Sequence, residues 1–184
     1  MLETVDLNRA LEESALFRNL KTHELDLVAG LVREGASPRG SLLFREGSPS
    51  DGLYIVRAGA VAIEKALAAG VRWRIASLGP GEVLGEIGLI CNLPRSADAI
   101  VLEDLQYWTM SHAEFDRLYV SQPVLAAHIL RNVAAVLCHR LTSTNSQIAR
   151  LLERLHRDGQ PVDDMHELFV DVWARSLDLG HPAV

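Results

Sequence analysis

Glycine punctuates the middle of this chain, at positions 35, 40, 47, 52, 59, 70, 79, 81, 85 and 88. The segments between these glycines are short and β-prone. They read Leu42-Leu43-Phe44, Leu53-Tyr54-Ile55-Val56, Val61-Ala62-Ile63 and Val71-Arg72-Trp73-Arg74-Ile75, followed by Ala99-Ile100-Val101-Leu102 and Gln106-Tyr107-Trp108-Thr109. Many strands at short spacing with glycine turns indicate an antiparallel sandwich or barrel. Ala58-Gly59-Ala60 reads as a tight hairpin between two such strands, and Gly79-Pro80-Gly81 as a turn.

The ends of the chain carry a different period. Val5, Leu7, Ala10, Leu11 and Ala15 recur at helical spacing, which predicts a helix over residues 5–14. Thr22 is a candidate N-cap for a helix over 23–33, with Glu24 and Asp26 in its first turn. Ser111 and Glu114 form a capping box at the head of a helix over 112–119. Pro123 suits the first turn of a longer helix that stops before Asp158-Gly159-Gln160-Pro161, and a last helix is expected over 163–177. Within the long helix Leu130, Ala134, Leu137, Leu141, Thr144, Ile148, Leu151 and Leu155 alternate at spacings of four and three. That is a heptad seam, the pattern of a dimerising coiled coil. The alternative is a helix packed along its own barrel. Thr144 is the one clearly polar member of the seam, where a hydroxyl is unfavourable unless it finds a partner.

Composition narrows the function classes. The net charge is −6, against a chain built mainly to neutralise phosphates. Apolar stretches fall short of the ~20 residues of a membrane span. The start, MLETVDLNRALEES, lacks a basic leader followed by an apolar core. Cytoplasmic residence without a membrane partner is therefore the expectation. Cys91 and Cys138 have apolar neighbours and no CxxC partner, so both are expected as buried small hydrophobes. The seven histidines show no metal-ligand spacing, and no nucleophile–base pair stands out, so neither a metal nor catalysis is expected.

The stretch from Leu84 to Ala99, LGEIGLICNLPRSADA, carries the chemistry. One acid, Glu86, and one base, Arg95, flank an apolar run. Gly85 permits a positive φ and close approach of the backbone to a ligand. If Glu86 opens a helical turn, the amides of Ile87 and Gly88 are free donors that favour an anion. Arg95 can grip two anionic oxygens, and Ser96 can add a hydroxyl bond. Glu86, itself an anion, suits a sugar hydroxyl. A small nucleotide with one negative charge fits this inventory.

GEIGLICNLPRSADA resembles the phosphate-binding cassette of the cyclic nucleotide-binding domain family. GSPSDGLYIVRAGAVAIEK resembles the glycine-marked strands of that family, and LFRNL at 16–20 its opening segment. The resemblance covers about residues 10–156. It implies an α+β fold: an antiparallel β-roll or jelly-roll barrel flanked by N-terminal helices and a long C-terminal dimerisation helix. It divides the chain into a β-roll domain with its N-terminal helices over 10–122, a dimer helix over 123–156 and a short acidic tail over 157–184, expected to hold one helix. It assigns Glu86 to the ribose 2′-hydroxyl and Arg95 to the cyclic phosphate. It further implies that Thr144 and Asn145 lie near the base, as in the catabolite activator branch of the family. Asn145 departs from the threonine–serine pair of that branch, so the base preference, cAMP or cGMP, is left open. Members of that branch continue into a helix-turn-helix domain. Here 28 residues follow His156 and include Asp158, Asp163, Asp164, Glu167, Asp171 and Asp178. The expectation is a stand-alone, homodimeric receptor for cAMP, with cGMP as the second candidate ligand, that signals to a protein partner rather than to DNA. The competing expectation is a dimeric scaffold that binds no nucleotide, or one that binds another effector such as a cyclic dinucleotide.

Overall fold

The computed structural model describes residues 4–66, 71–91 and 93–157. The helix expected over 163–177 and the acidic tail lie outside the described residues. The chain divides into two compact units, Met1–Val136 and Leu137–Val184.

The first unit opens with α1 (Thr4–Glu12), a 3-10 turn (Ala15–Phe17) and α2 (Thr22–Ala29). The strands are β1 (Arg33–Ser37), β2 (Leu42–Phe44), β3 (Gly52–Ala66), β4 (Arg72–Leu78) and β5 (Val83–Leu84). Then come α3 (Glu86–Cys91), β6 (Asp98–Ser111), α4 (His112–Ser121) and α5 (Pro123–Arg157), which runs on into the second unit. All strand pairings are antiparallel. The sheet runs β1-β6-β3-β4, with β2 on β6 and β5 on β3. This is the antiparallel β core with flanking helices and a long C-terminal helix that the resemblance implies.

β3 and β6 form the spine. They pair from Gly52↔Ser111 to Glu64↔Asp98, through register shifts between Val56 and Val61. Successive strand residues face opposite sides. Leu53, Tyr54, Ile55 and Val56 are all buried, so both faces of β3 are covered there. Tyr54 and Val56 join Val61, Leu78, Leu84, Ala99, Val101 and Leu105 in one core cluster.

The expected hairpin at 58–60 is not a hairpin. Ala58-Gly59-Ala60 lies inside the continuous strand β3. Gly59 has φ +88° and lies where a Cβ would strike the Asp104 carbonyl of β6, so the glycine forms an irregularity that lets two long strands stay paired. The runs 99–102 and 106–109 likewise belong to one strand, β6. The helix expected over 23–33 ends at Ala29, and Arg33–Ser37 is an edge strand on β6. Its N-cap is Lys21 rather than Thr22, with the Lys21 amide donating to Glu24 Oε2 (2.8 Å).

The capping box at α4 forms as expected. The Glu114 amide donates to Ser111 Oγ (3.3 Å) and the Ser111 amide to Glu114 Oε2 (2.9 Å). α5 buries Leu125, Ala126, Ile129 and Val133. Its Asn132 side chain donates to the carbonyls of Leu16 (2.9 Å) and Arg18 (3.0 Å). By length and composition alone, α5 is long and apolar enough to cross a membrane, although no uninterrupted apolar run in it reaches that length. Four of those apolar side chains are instead buried in the protein.

Both cysteines are exposed, correcting their expected burial. Cys91 ends α3, whose buried residues are Glu86, Gly88 and Leu89. Cys138 lies beyond Val133, the last buried residue of α5.

Candidate functional site

The cassette sits between β5 and β6. Gly85 takes φ +81°, and Glu86 opens α3, as the sequence suggests. A side chain at Gly85 would run into the Arg95 guanidinium, so the backbone and the arginine can approach only because the residue is glycine. A side chain at Gly88 would run into Ser50. Ser50 Oγ in turn lies 3.2 Å from His112 Nε2, at the head of α4.

Glu86 and Arg95 are buried, at 4% and 5% exposure, which is unusual for charged residues. Arg95 is held from several directions. Its Nη2 donates to Asp51 Oδ1. Its guanidinium carbon lies 4.2 Å from the centre of the Phe44 ring and 5.4 Å from that of Tyr54, in cation–π contact. Its amide donates to the Ser48 carbonyl (2.9 Å), and its carbonyl accepts from the Gly47 amide (2.8 Å). The Tyr54 hydroxyl donates to Asp51 Oδ2 (3.2 Å). Burial, and then the Asp51 charge, push the Tyr54 hydroxyl up to about 12, so it stays a donor at neutral pH.

Two buried guanidinium nitrogens, Arg95 Nε and Nη1, have no hydrogen-bond partner among the described residues. Buried donors in folded proteins are nearly always paired. Each can donate to an anionic oxygen, but the two lie on different edges of the guanidinium, so each would need an acceptor of its own.

The cassette's far end is tied down by charge. Lys65 Nζ donates to the Ser96 carbonyl (3.0 Å) and to Glu46 Oε1 (2.9 Å). The Glu46 amide donates to Asp98 Oδ1 (2.6 Å), and Arg72 pairs with the other Asp98 oxygen. The Glu46 amide, together with Arg72, holds the Asp98 carboxyl below its ordinary range.

Of the eight residues singled out from sequence, the first unit brings Gly85, Glu86, Ile87, Gly88, Arg95 and Ser96 into one short segment. Ile87 is half-buried there, while Ser96 is exposed. Thr144 and Asn145 belong to the second unit, where both are exposed on α5. Sequence reasoning missed Ser50, Asp51, Phe44 and Tyr54. The segment GSPSDGLYIVRAGAVAIEK, which holds Ser50, Asp51 and Tyr54, stood out only for its glycine-marked strands, and nothing in it tied those side chains to Arg95. Among the described residues no group of three or more His, Cys, Asp or Glu side chains could hold a metal ion.

The model of the cyclic nucleotide-binding domain family matches residues 36–122. The cyclic AMP receptor protein of Thermus thermophilus is 30% identical over 138 residues, which cover 75% of this chain and 62% of that relative. The chain thus spans less than two thirds of its length. The crystal structure of the catabolite activator protein of Thermus thermophilus superposes with a TM-score of 0.66 at 30% identity, over 79% of this chain and 72% of that one. A cyclic nucleotide-binding domain from Methylobacillus flagellatus KT superposes with a TM-score of 0.72 at 23% identity, over 80% and 83% of the two chains, a likeness of fold.

Proposed function

The chain belongs to the cyclic nucleotide-binding domain family, and from that premise we propose that it is a receptor for cAMP that reports ligand state to a protein partner as a homodimer. The observation that carries the reading is Arg95, buried beside Gly85 with two donors that no described residue satisfies. In this reading Arg95 grips the cyclic phosphate, with the amides of Ile87 and Gly88 and the Ser96 hydroxyl as further donors. Glu86 accepts from the ribose 2′-hydroxyl. Thr144 and Asn145 serve the base: the Thr144 hydroxyl accepts from the amino group of adenine, and Asn145 offers both a donor and an acceptor. The family pattern at these last two positions leaves room for cGMP as a weaker ligand. Nothing in this role is catalytic. It places the protein in the cytoplasm.

DNA is not the partner in this reading. The net charge of −6, and six acidic residues between 158 and 178, repel a phosphate backbone.

Calorimetric titration with cAMP and cGMP tests the proposal. Charge-assisted hydrogen bonds are worth about 1.5–3 kcal/mol each. Arg95→Ala removes more than one and is expected to weaken cAMP by on the order of 10²-fold or more. Absence of binding at millimolar nucleotide in the unmodified protein would reject the reading. A preference for a cyclic dinucleotide would replace the ligand and keep the site.

A further inference from the structure

Gly88, inside α3, is buried, and its backbone lies outside the left-handed region, so no conformational demand calls for glycine there. Within a helix glycine is a poorer residue than alanine. What excludes a side chain is space. A Cβ at Gly88 would run into Ser50 Oγ and come within 2.6 Å of Ser50 Cβ. The Ser50 hydroxyl is held in that place, because its Oγ lies 3.2 Å from His112 Nε2 and both side chains are half-buried. The bond forms in either tautomer: the hydroxyl donates to a bare Nε2 or accepts from Nε2–H. The two residues meet because β3 begins where β6 ends. Gly52 pairs with Ser111, and a Cβ at Gly52 would strike the Met110 carbonyl, so the two backbones close up at this corner. Ser50 stands just before that pair and His112 just after it.

We propose that Ser50 and His112 are positioning residues for α3: His112 fixes the Ser50 hydroxyl, Ser50 forms the wall against which Gly88 seats the helix, and that seat sets where Gly85 and Glu86 stand relative to Arg95. The consequence for the ligand rests on the reading that this segment holds cAMP. Glu86 opens α3, and the Arg95 guanidinium lies against Gly85 just before it. α3 is only six residues long, so a shift at Gly88 carries Glu86 and Gly85 with it. Neither Ser50 nor His112 touches the nucleotide in this account, and both act through the helix. Loss of the imidazole nitrogen frees the hydroxyl to turn and loosens the wall. A Cβ at position 88 pushes the helix off the wall. A clash between two residues disappears when either one is cut back, so substitutions at 50 and 88 should be coupled rather than additive.

The test is a cycle of four full-length proteins, unmodified, Gly88→Ala, Ser50→Gly and the double variant, read by cAMP calorimetry and by urea midpoints. With Ser50 in place, Gly88→Ala is expected to weaken cAMP by on the order of tenfold and to lower the urea midpoint. With Ser50→Gly, which removes both clashing atoms, the same change should cost less than about twofold in affinity and leave the midpoint equal or higher, since alanine is the better helix residue. An equal loss in both backgrounds would show that another neighbour needs the space, and would overturn the proposal. His112 is tested by rescue. His112→Phe keeps a ring without the nitrogen and should weaken cAMP about three- to tenfold, the range of one neutral hydrogen bond. His112→Gln places an amide near the position of Nε2 and should recover most of that loss. Binding by His112→Gln no better than by His112→Phe would likewise overturn the proposal. If no cyclic nucleotide binds the unmodified protein, the receptor reading fails. The urea midpoints of the cycle then decide the seat of α3 alone: coupling between positions 50 and 88 supports it, and an equal cost in both backgrounds refutes it.

Discussion

Gly85 joins two constraints in one residue, a φ of +81° and a Cβ position already filled by the Arg95 guanidinium. Gly85→Ala is therefore expected to lower stability by about 1–2 kcal/mol through the backbone alone. It should also lower cAMP affinity, because the arginine must move. Urea midpoints and calorimetry read the two effects separately, and unchanged affinity would place the phosphate away from Arg95. Two other carboxylates act on stability. Glu114 is held below its ordinary range chiefly by the Ser111 amide, then by the Ser111 hydroxyl and Arg33, and Asp98 chiefly by the Glu46 amide, then by Arg72. A carboxyl depressed in the folded state contributes stability that is complete above its unfolded value, near about 4, and is lost as pH falls through the folded value. Stability should hold from neutral pH to about 5 and fall below about 4. Glu114→Gln should flatten that acid limb, and an unaltered limb in urea titrations would assign it elsewhere. At this scale legibility followed sequence distance. Ser111 and Glu114 are three positions apart, and Glu86 and Arg95 share one short motif, so residue type and spacing were enough. Asp51 lies 44 positions from Arg95, and no local pattern joins them.

The elements show where local pattern was overruled by pairing. The β-prone texture was correct, and so were the capping box and the start of α5, because alternation, side-chain caps and proline act within a few residues. The hairpin at 58–60 was misread because a glycine between two small residues has the same local signature whether the chain turns back or carries an irregularity. What decides is the long partner β6, whose backbone passes beside Gly59 at Asp104. Arg33–Ser37 offered no alternation at all, since it is an edge strand set by its register against Thr109–Leu105. Gly59→Ala tests the role of the irregularity. A Cβ there meets the Asp104 carbonyl, and the φ of +88° disfavours any side chain. The expected loss is about 2 kcal/mol or more, combining strain with displaced backbone. A urea midpoint equal to that of the unmodified protein would mean that the two strands slide past each other freely at this point.

For the molecule as a whole, the long helix presents two different stripes. The buried residues Leu125, Ala126, Ile129 and Val133 make one. The heptad seam makes the other, and from Ala134 to Leu155 none of its members is buried, with Leu141 59% and Leu151 54% exposed. A narrow stripe of leucine and isoleucine repeated at heptad spacing matches what a second copy of the same helix would cover. The proposed homodimer, with its two helices parallel along this seam, carries two consequences. Leu141→Glu would set two carboxylates against each other across the seam, so light scattering at tens of micromolar should report a dimer for the unmodified chain and a monomer for the variant. A variant of unchanged mass would remove the seam from the interface. Thr144 probes whether the seam and the ligand share free energy. Thr144→Val keeps the shape and deletes the hydroxyl, so the nucleotide-free dimer should be as stable or more so. If the hydroxyl accepts from adenine, cAMP should weaken by about 1–2 kcal/mol. Linkage then requires that cAMP tighten the dimer by the same factor by which dimerisation tightens cAMP. Dilution series with and without nucleotide measure one side of that equality and titrations at two protein concentrations the other. Equal cAMP affinity in Thr144→Val and the unmodified protein would confine the hydroxyl to the dimer seam and leave the base to Asn145 and the cassette.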